Sequence, residues 1–389
     1  MTDSIPIQFI DLAAQQRRLR GQLDRAIAEV LDQGSYIMGS HVKRFEAELS
    51  AFCGAKHSIS CANGTDALQL ALMALGVGAG DAVLVPTFTF AATAEVVPFV
   101  GATPVFVDSD ESTFNMDPAS LQRAIGEARA KGLNPRAVIP VDLFGLPADM
   151  PAIEKIADRE GLDVICDSAQ GFGGTIDGRK TGSFGRITTT SFFPAKPLGC
   201  YGDGGAVFTD DDDLAKMLDS LRVHGKGSDK YDNVRVGMNS RLDTIQAAIL
   251  SVKLGVYADE IEARDRVAAR YNARLSNAVE APVVPEGYGS VWAQYTVKLT
   301  DAAERTAVQA ALKELGVPSA IYYVLPLHQQ TAYSAYPRDP EGCPVAEMLS
   351  QRVLSLPMHP YLDEATQDRI IDAVQSAVTT VRERQLADG

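Results

Sequence analysis

The stretch from residue 188 to residue 205 restricts the fold of this chain most, because it joins a strand to a rigid turn that carries one lysine. Residues 187–193 are β-prone, and the run breaks at Pro194 and Pro197, with Lys196 between them. Proline fixes φ, removes a backbone donor and biases the preceding residue away from helix, so Lys196 is predicted to lie on a non-helical turn. A lysine held there is placed to attack a bound carbonyl compound. The alternative is an ordinary lysine of a surface loop.

Strands and helices alternate along most of the chain, which is typical of βαβ units on a largely parallel sheet. Helices are predicted near residues 120–131 and 149–160. Apolar, β-prone runs between the helices predict the strands Asp81–Pro86, Thr103–Val107, Ala137–Val141, Leu162–Asp167 and Gly205–Thr209. The sequence therefore predicts an α/β fold.

A change in composition after Asn277 indicates a second unit. Before it we predict two helices, Leu242–Leu254 and Glu260–Leu275, and after it a strand at Ser319–Tyr323. At 389 residues the chain is long enough for two domains. We expect a large domain, with an N-terminal helical segment, over residues 1–259 and a smaller C-terminal α/β domain over residues 260–389.

Three further groups stand at positions that suit a ligand. Gly64 and Thr65 join a short strand to a helix, and the free N–H groups at such a helix N-terminus suit a phosphate. The alternative is that Thr65 is an ordinary N-cap. Asp167 ends an apolar strand, where a carboxylate needs a cationic partner unless it caps the next turn. Phe88 and Phe90 follow another strand, and either ring can cover a flat ligand or belong to the core.

Charge and composition exclude several classes of function. The formal net charge of −14 argues against non-specific nucleic-acid binding, which needs basic patches. No apolar run approaches the ~20 residues that span a bilayer, and residues 1–6 do not resemble a secretory signal. The five cysteines and five histidines lack metal-ligand spacing, so we expect no metal, no disulfide framework and a reducing, cytoplasmic location.

Together these groups predict one cofactor. A phosphate site at Gly64 and Thr65, an aromatic ring near residue 90, the carboxylate of Asp167 and the amine of Lys196 match the phosphate, ring, ring nitrogen and aldehyde of pyridoxal 5′-phosphate (PLP). A carboxylate beside the ring nitrogen favours its protonated form, which accepts electron density when a proton leaves the substrate carbon.

The same residues lie in motifs that resemble a known family. The sequence is similar, along nearly its whole length, to the DegT-type nucleotide-sugar aminotransferases, which have the aspartate-aminotransferase fold (fold type I), a large PLP domain and a smaller α/β domain. The segments that carry the resemblance are Ser60–Leu68, Pro86–Glu95, Cys166–Gln170, Ser191–Gly199, Gly237–Asp243 and Leu354–Pro360.

The resemblance implies a role for each matching residue. Lys196 is expected to bind the cofactor aldehyde and then to move protons. The remaining cofactor contacts implied are Gly64, Thr65 and Ser191 at the phosphate, Phe90 on the ring face, Asp167 at the ring nitrogen, Gln170 at the ring or its hydroxyl, and Asn239 from a neighbouring subunit. Arg241 is implied for a substrate carboxylate, and Tyr322, Tyr323 and His328 for the substrate, with ordinary packing as the alternative for these three.

The most similar branch acts on UDP-linked 3-keto-hexuronic acids with L-glutamate as amino donor. We therefore expect a homodimer with shared active sites that transfers an amino group to UDP-2-acetamido-3-keto-hexuronic acid for a surface polysaccharide. One alternative is a dTDP- or GDP-linked keto-6-deoxyhexose as substrate. An alternative of another class is a PLP-binding regulatory protein without turnover.

Overall fold

A computed structural model describes residues 6–229 and 231–388. Its strands are β1 (His57–Cys61), β2 (Asp81–Pro86), β3 (Thr103–Val107), β4 (Asn134–Val138), β5 (Asp163–Asp167), β6 (Thr175–Ile176), β7 (Arg179–Lys180), β8 (Ile187–Ser191), β9 (Gly205–Thr209), β10 (Tyr288–Gly289), β11 (Tyr295–Lys298) and β12 (Val353–Leu356). Its α-helices are α1 (Leu12–Gln33), α2 (Ser40–Cys53), α3 (Gly64–Ala74), α4 (Ala92–Phe99), α5 (Pro118–Ala130), α6 (Met150–Glu160), α7 (Asp212–Leu221), α8 (Thr244–Leu275), α9 (Ala302–Glu314), α10 (Pro344–Arg352) and α11 (Glu364–Asp388).

A seven-stranded sheet in the order β1-β9-β8-β5-β4-β2-β3 forms the centre of the fold, and helices cover both of its faces. Neighbouring strands are parallel except for β9, which runs antiparallel to β1 and β8. Strands β5 and β8 are adjacent, with Asp167 opposite Thr189. Their carboxyl ends therefore lie at one edge, where open α/β sheets bind ligands. The predicted α/β class with a mostly parallel sheet is confirmed.

The prediction of two helices between residues 242 and 275 is wrong, because α8 is a single helix of 32 residues. The predicted break falls where Tyr257 is fully buried and donates a 2.5 Å hydrogen bond to the carbonyl of Phe172, so packing keeps this segment helical. The first half of α8 packs in the core beside the central sheet, and the second half packs in a separate core with α9 and α11. The domain boundary at residue 260 stays a prediction, and it falls inside this helix.

Two predicted strands also differ. The strand expected at Ser319–Tyr323 is not formed; Ala320 makes an isolated bridge to Ser355, and a turn follows. The strand expected at Ala137–Val141 is β4, which begins and ends three residues earlier. Pro140 has no N–H for a ladder, and its carbonyl accepts instead from the N–H of Asp167.

The described residues include neither a helix that could span a membrane nor a cluster of metal ligands. Among the helices in residues 6–229 and 231–388, none is long and apolar enough to cross a membrane. The same residues contain no group of three or more His, Cys, Asp or Glu side chains that could hold a metal ion.

Candidate active site

The carboxylate of Asp167 lies at the carboxyl end of β5 and is buried, with 4% of the residue exposed. Its Oδ2 accepts a 3.0 Å hydrogen bond from the hydroxyl of Thr93, and its Oδ1 accepts a 3.1 Å bond from the N–H of Ala169. Burial raises the pKa of Asp167, while these two bonds and the charge of Lys196 oppose the rise. The carboxylate is therefore held in place by the fold and faces a cation.

That cation is the side chain of Lys196, on the turn that follows β8. The backbone N–H of Lys196 bonds to the carbonyl of Phe193 at 2.8 Å, so the turn is closed and non-helical, as the two prolines predict. Burial lowers the pKa of Lys196 because it disfavours the ammonium form, and the charge of Asp167 partly offsets this. The strand-end carboxylate and the lysine thus meet at one edge of the sheet.

A second lysine fixes the turn that carries Lys196. Lys253 on α8 is buried and donates a 2.6 Å hydrogen bond from Nζ to the carbonyl of Gly199, and its ammonium lies 4.1 Å from the centre of the Tyr201 ring. A Cβ at Gly199 would lie 2.5 Å from the carbonyl oxygen of Pro194, so this turn accepts only glycine there. The role of Lys253 could not be predicted from the sequence, since nothing local links it to a turn more than 50 residues away.

The predicted phosphate site is a tight junction between α3 and the sheet. Asn63, and not Thr65, caps α3, because its Oδ1 accepts a 2.8 Å bond from the N–H of Asp66. A Cβ at Gly64 would lie 2.7 Å from the Cβ of Ser191, so glycine lets the helix N-terminus reach the end of β8. The first-turn N–H groups and the Ser191 hydroxyl are therefore adjacent, which suits an anion such as the phosphate of PLP.

The two candidate aromatic rings have separate roles. Phe88 is 1% exposed and packs edge-on against Phe144 and Tyr323, so it belongs to the core. Phe90 is 58% exposed, although it follows a buried strand, and is free to lie over a flat ligand. The buried carboxylate, the lysine, the helix N-terminus and this exposed ring together fit PLP.

Gln170 and Tyr323 form a pair beside Asp167. The side-chain oxygen of Gln170 accepts a 2.8 Å bond from the N–H of Phe144, and its amide nitrogen donates to the Tyr323 hydroxyl at 3.2 Å. Tyr322 packs against Phe9, with ring centres 6.4 Å apart. The two tyrosines are half-buried, so their predicted contacts to a ligand stay predictions.

His328, for which the sequence leaves both substrate contact and ordinary packing open, makes two hydrogen bonds within the chain, and its contact to substrate stays a prediction. The residue is buried, Nδ1 bonds to the hydroxyl of Thr87 at 2.7 Å, and Nε2 bonds to Glu347 at 3.0 Å. Both ring nitrogens are occupied within the chain, so the structure supports the packing alternative for His328.

Asn239 and Arg241 lie at the end of the long loop that precedes α8. Ser240 between them is buried, and its hydroxyl accepts a 3.2 Å bond from the N–H of Ala62, one residue before the α3 cap. Asn239 is exposed and Arg241 is half-buried. Ser240 therefore anchors the loop to the body of the chain, next to an exposed Asn239.

Comparison with known proteins agrees with this geometry. The model of the DegT/DnrJ/EryC1/StrS aminotransferase family matches residues 18–375. The UDP-2-acetamido-2-deoxy-3-oxo-D-glucuronate aminotransferase of Pseudomonas aeruginosa is 48% identical, over 92% of this chain and 97% of its own. The UDP-N-acetyl-3-dehydro-alpha-D-glucosamine 3-aminotransferase of Acidithiobacillus ferrooxidans is 45% identical, over 96% of this chain and 99% of its own. The crystal structure of a DegT DnrJ EryC1 StrS aminotransferase from Brucella abortus superposes with a TM-score of 0.93 at 54% identity, covering 95% of this chain and 99% of that one.

Proposed function

The chain belongs to the DegT/DnrJ/EryC1/StrS family of PLP-dependent aminotransferases, and from this premise we propose that it transfers the amino group of L-glutamate to the 3-keto group of a UDP-linked 2-acetamido-hexuronic acid. The observation that carries the proposal is the pairing of buried Asp167 with half-buried Lys196 beside the Gly64–Ser191 junction. The P. aeruginosa relative, an enzyme named for a UDP-3-oxo-glucuronate, supports the choice of sugar.

Each residue of the site has a task in amino transfer. When bound, PLP supplies an aldehyde that bonds covalently to amino groups and a ring that takes up electron density. The Nζ of Lys196 removes the proton from the Cα of the donor and later delivers a proton to the sugar carbon that receives the amino group. Its lowered pKa favours the neutral amine that this proton transfer needs. Asp167 stabilises a positive charge at the ring nitrogen, and the start of α3 with Ser191 binds the phosphate.

We also propose a homodimer with shared sites, in which Asn239 reaches the phosphate of the neighbouring subunit and Arg241 binds the carboxylate of the uronic acid. The exposure of Asn239 and the partial exposure of Arg241, on a loop anchored by Ser240, support this arrangement. A guanidinium fork matches a carboxylate in two hydrogen bonds, which gives the site a reason to prefer a uronic acid. The product is an amino sugar of the kind used in surface polysaccharides. The five cysteines are all unpaired, which supports a reducing compartment such as the cytoplasm.

Amino transfer is tested with the purified holoenzyme and a panel of UDP-, dTDP- and GDP-linked keto sugars. We expect L-glutamate to change the absorbance of the bound cofactor and the UDP-3-keto-uronic acid to give the amino sugar fastest. Lys196→Ala should abolish both changes, because it removes the amine proposed to bond to the cofactor and to move the proton. Full activity of Lys196→Ala, or faster turnover of a dTDP- or GDP-linked sugar, would contradict the proposal. Borohydride trapping of the cofactor without any amino exchange would favour a regulatory protein instead.

A further inference from the structure

A small cavity lies beside the turn that carries Lys196. Its volume is about 20 Å³, enough for water-sized groups such as the oxygens of a carboxylate. Lys196 lines one side of it, and the start of α1, α8 and the segment after β12 line the others through Asp11, Gln15, Arg264 and His359. The residue proposed to carry the catalytic amine therefore lines the same cavity as a buried arginine.

Arg264 is buried without a carboxylate partner. The residue is 5% exposed, its Nη1 donates a 3.1 Å bond to the carbonyl of Trp292, and its Nε has no partner in the described part of the chain. Burial lowers the pKa of Arg264 because the guanidinium loses its hydration. A buried cation without an ion pair destabilises the fold, because the lost hydration is not replaced by an opposite charge.

The other buried arginine of the described residues, Arg222, is paired with carboxylates, as buried arginines ordinarily are. Arg222 is 4% exposed, and its guanidinium bonds to Glu46 at 2.5 Å and to Asp219 at 2.6 Å. Two carboxylates and the carbonyl of Ser60 satisfy it. Arg264 has no such pair among the ion pairs of residues 6–229 and 231–388, so its charge is left for a ligand.

The nearby acids are already engaged. Glu260 acts on Arg264 only through the longer-range electrostatic interaction, since its oxygens accept hydrogen bonds from Gln15 at 3.0 Å and from Tyr361. Asp11 caps α1 through a 2.8 Å bond from the N–H of Ala14, and its other oxygen lies 3.8 Å from Arg17. The positive charge of Arg264 in the cavity is therefore not neutralised by these acids, and it favours the binding of an anion.

His359 adds a second polar group to the same wall. Burial, together with the charge of Arg264, lowers the pKa of His359 to about 4, so the imidazole is neutral at pH 7. Its Nδ1 has no hydrogen-bond partner among the described residues. A neutral imidazole lines the cavity beside the guanidinium without adding to the charge that must be buried.

We propose that Arg264, with His359 beside it, binds the α-carboxylate of the amino donor. The inference rests on the proposed function, because it assigns a subsite to the donor of that reaction. Lys196 acts at the donor Cα, and the α-carboxylate is one bond from that atom, so the two groups must occupy neighbouring space.

The binding test uses the PLP-loaded enzyme and 2-oxoglutarate, the keto acid that the donor leaves behind. In Arg264→Met the dissociation constant, measured by calorimetry, should rise at least about 30-fold, because the bound carboxylate loses its buried cationic partner. Arg264→Lys should raise it by a similar factor, because lysine keeps the charge but loses the planar fork that holds a carboxylate in two hydrogen bonds. The rate of cofactor conversion by L-glutamate should fall by a similar factor. The reaction of the aminated enzyme with the keto sugar should keep its KM, since the sugar does not use this subsite.

Thermal unfolding of the ligand-free holoenzyme separates a ligand-binding arginine from a structural one. Arg264→Met should unfold at the wild-type temperature or above, because it removes an uncompensated buried charge. Arg222→Met is the matched control and should unfold at a clearly lower temperature, because it leaves Glu46 buried without its partner. A fall in Tm for Arg264→Met as large as that for Arg222→Met would assign Arg264 a structural role and overturn the inference.

Failure of the inference and failure of the proposed function give different results. If the wild-type enzyme transfers no amino group from L-glutamate, the proposed function fails. If it does, and both Arg264 variants bind 2-oxoglutarate and react with L-glutamate like the wild type, only the donor subsite is wrong. If Arg264→Met does not fold, Arg264→Lys, which keeps the charge but loses the planar fork, decides by the same two measurements.

Discussion

The hydroxyl of Thr93 donates a hydrogen bond of 3.0 Å to Oδ2 of Asp167, although the two residues are 74 positions apart in the chain. Thr93 is buried in the first turn of α4, and its hydroxyl also lies 3.3 Å from that of Thr89. The bond fixes one carboxylate oxygen and opposes the rise in the pKa of Asp167 that burial causes. Thr93 is thus a positioning residue for the group proposed to pair with the ring nitrogen.

Thr93→Val removes this hydrogen bond with little change in shape. A bond to a charged group is worth about 1.5–3 kcal/mol, so we expect kcat to fall about tenfold to a hundredfold. The pKa of Asp167 should rise further, which should shift the pH dependence of the cofactor absorbance of the holoenzyme. Thr93→Ser keeps the hydroxyl and should retain most of the activity. An unchanged pH titration in Thr93→Val would show that the bond does not tune Asp167.

Elements with one clear periodicity could be predicted from the sequence, and long-range partners could not. Strands β2, β3 and β9 have the predicted bounds, because each is an apolar run closed by polar or turn residues. The meeting of Asp167 and Lys196 was predictable because both follow strands of a parallel sheet. The burial of Arg264 without an ion pair could not be predicted. An arginine on a polar helix does not indicate burial in the sequence, because the burial arises only when α8 packs against the β11–β12 unit.

Lys253→Met should lower activity more than its effect on stability explains. The change removes the 2.6 Å bond to the carbonyl of Gly199 and frees the turn that carries Lys196. We expect kcat to fall at least about tenfold with little change in KM, since a missing hydrogen bond at a buried acceptor costs about 1–3 kcal/mol. Steady-state kinetics with L-glutamate measure kcat and KM separately.

Lys180→Met is the matched control for Lys253→Met. Lys180 makes the same two contacts, a 3.1 Å bond to the carbonyl of Phe52 and a position 4.1 Å from the centre of its ring, but on β7. The Lys180→Met substitution should lower the unfolding temperature without changing kcat. Equal losses of kcat in both variants would contradict the positioning role of Lys253.

Asp142 makes the stability of the fold depend on pH. Burial, with a smaller effect from Asp167, raises the pKa of Asp142 to about 7, against 3.8 for an exposed carboxyl. Its oxygens accept hydrogen bonds from Ser168 and from the N–H of Ala148. Because the folded state holds the proton more tightly, its contribution to stability is complete below about pH 3.8 and is lost as the pH rises to about 7.

Asp142→Asn mimics the protonated carboxyl and cannot ionise. Between pH 5 and pH 8 the free energy of unfolding of the variant should gain about 2–3 kcal/mol relative to the wild type, because only the wild type loses a proton from the folded state. Urea unfolding at the two pH values measures the difference. A difference that stays constant over this range would mean that Asp142 is ionised throughout.

Arg241→Ala should lower the activity toward one class of substrate, the sugars that carry a carboxylate. If Arg241 binds the uronic acid carboxylate, kcat/KM for the UDP-3-keto-uronic acid should fall about a hundredfold, whereas a neutral UDP-3-keto sugar should lose little. Arg235→Ala in the same loop is the control, because the Arg235 guanidinium bonds to the Ser220 hydroxyl within the chain. Equal losses on the acidic and neutral sugars would contradict the carboxylate role.

Mixed dimers of two inactive variants test whether Asn239 serves the neighbouring subunit. Lys196→Ala removes the catalytic amine, and Asn239→Asp places a negative charge where the phosphate is proposed to bind. If Asn239 acts across the interface, a mixed dimer contains one site with both Lys196 and Asn239 intact and one site that lacks both. Random mixing should then restore about a quarter of the wild-type activity.

The opposite assignment gives the opposite result in the same experiment. If Asn239 completes the site of its own chain, each site of the mixed dimer lacks one residue and no activity returns. Mixing Lys196→Ala with Lys196→Arg is the control that should stay inactive under either arrangement. Because Ser240 anchors the loop to Ala62 while Asn239 is exposed, we expect recovery, measured as amino sugar formed per active-site equivalent after the two variants are unfolded and refolded together.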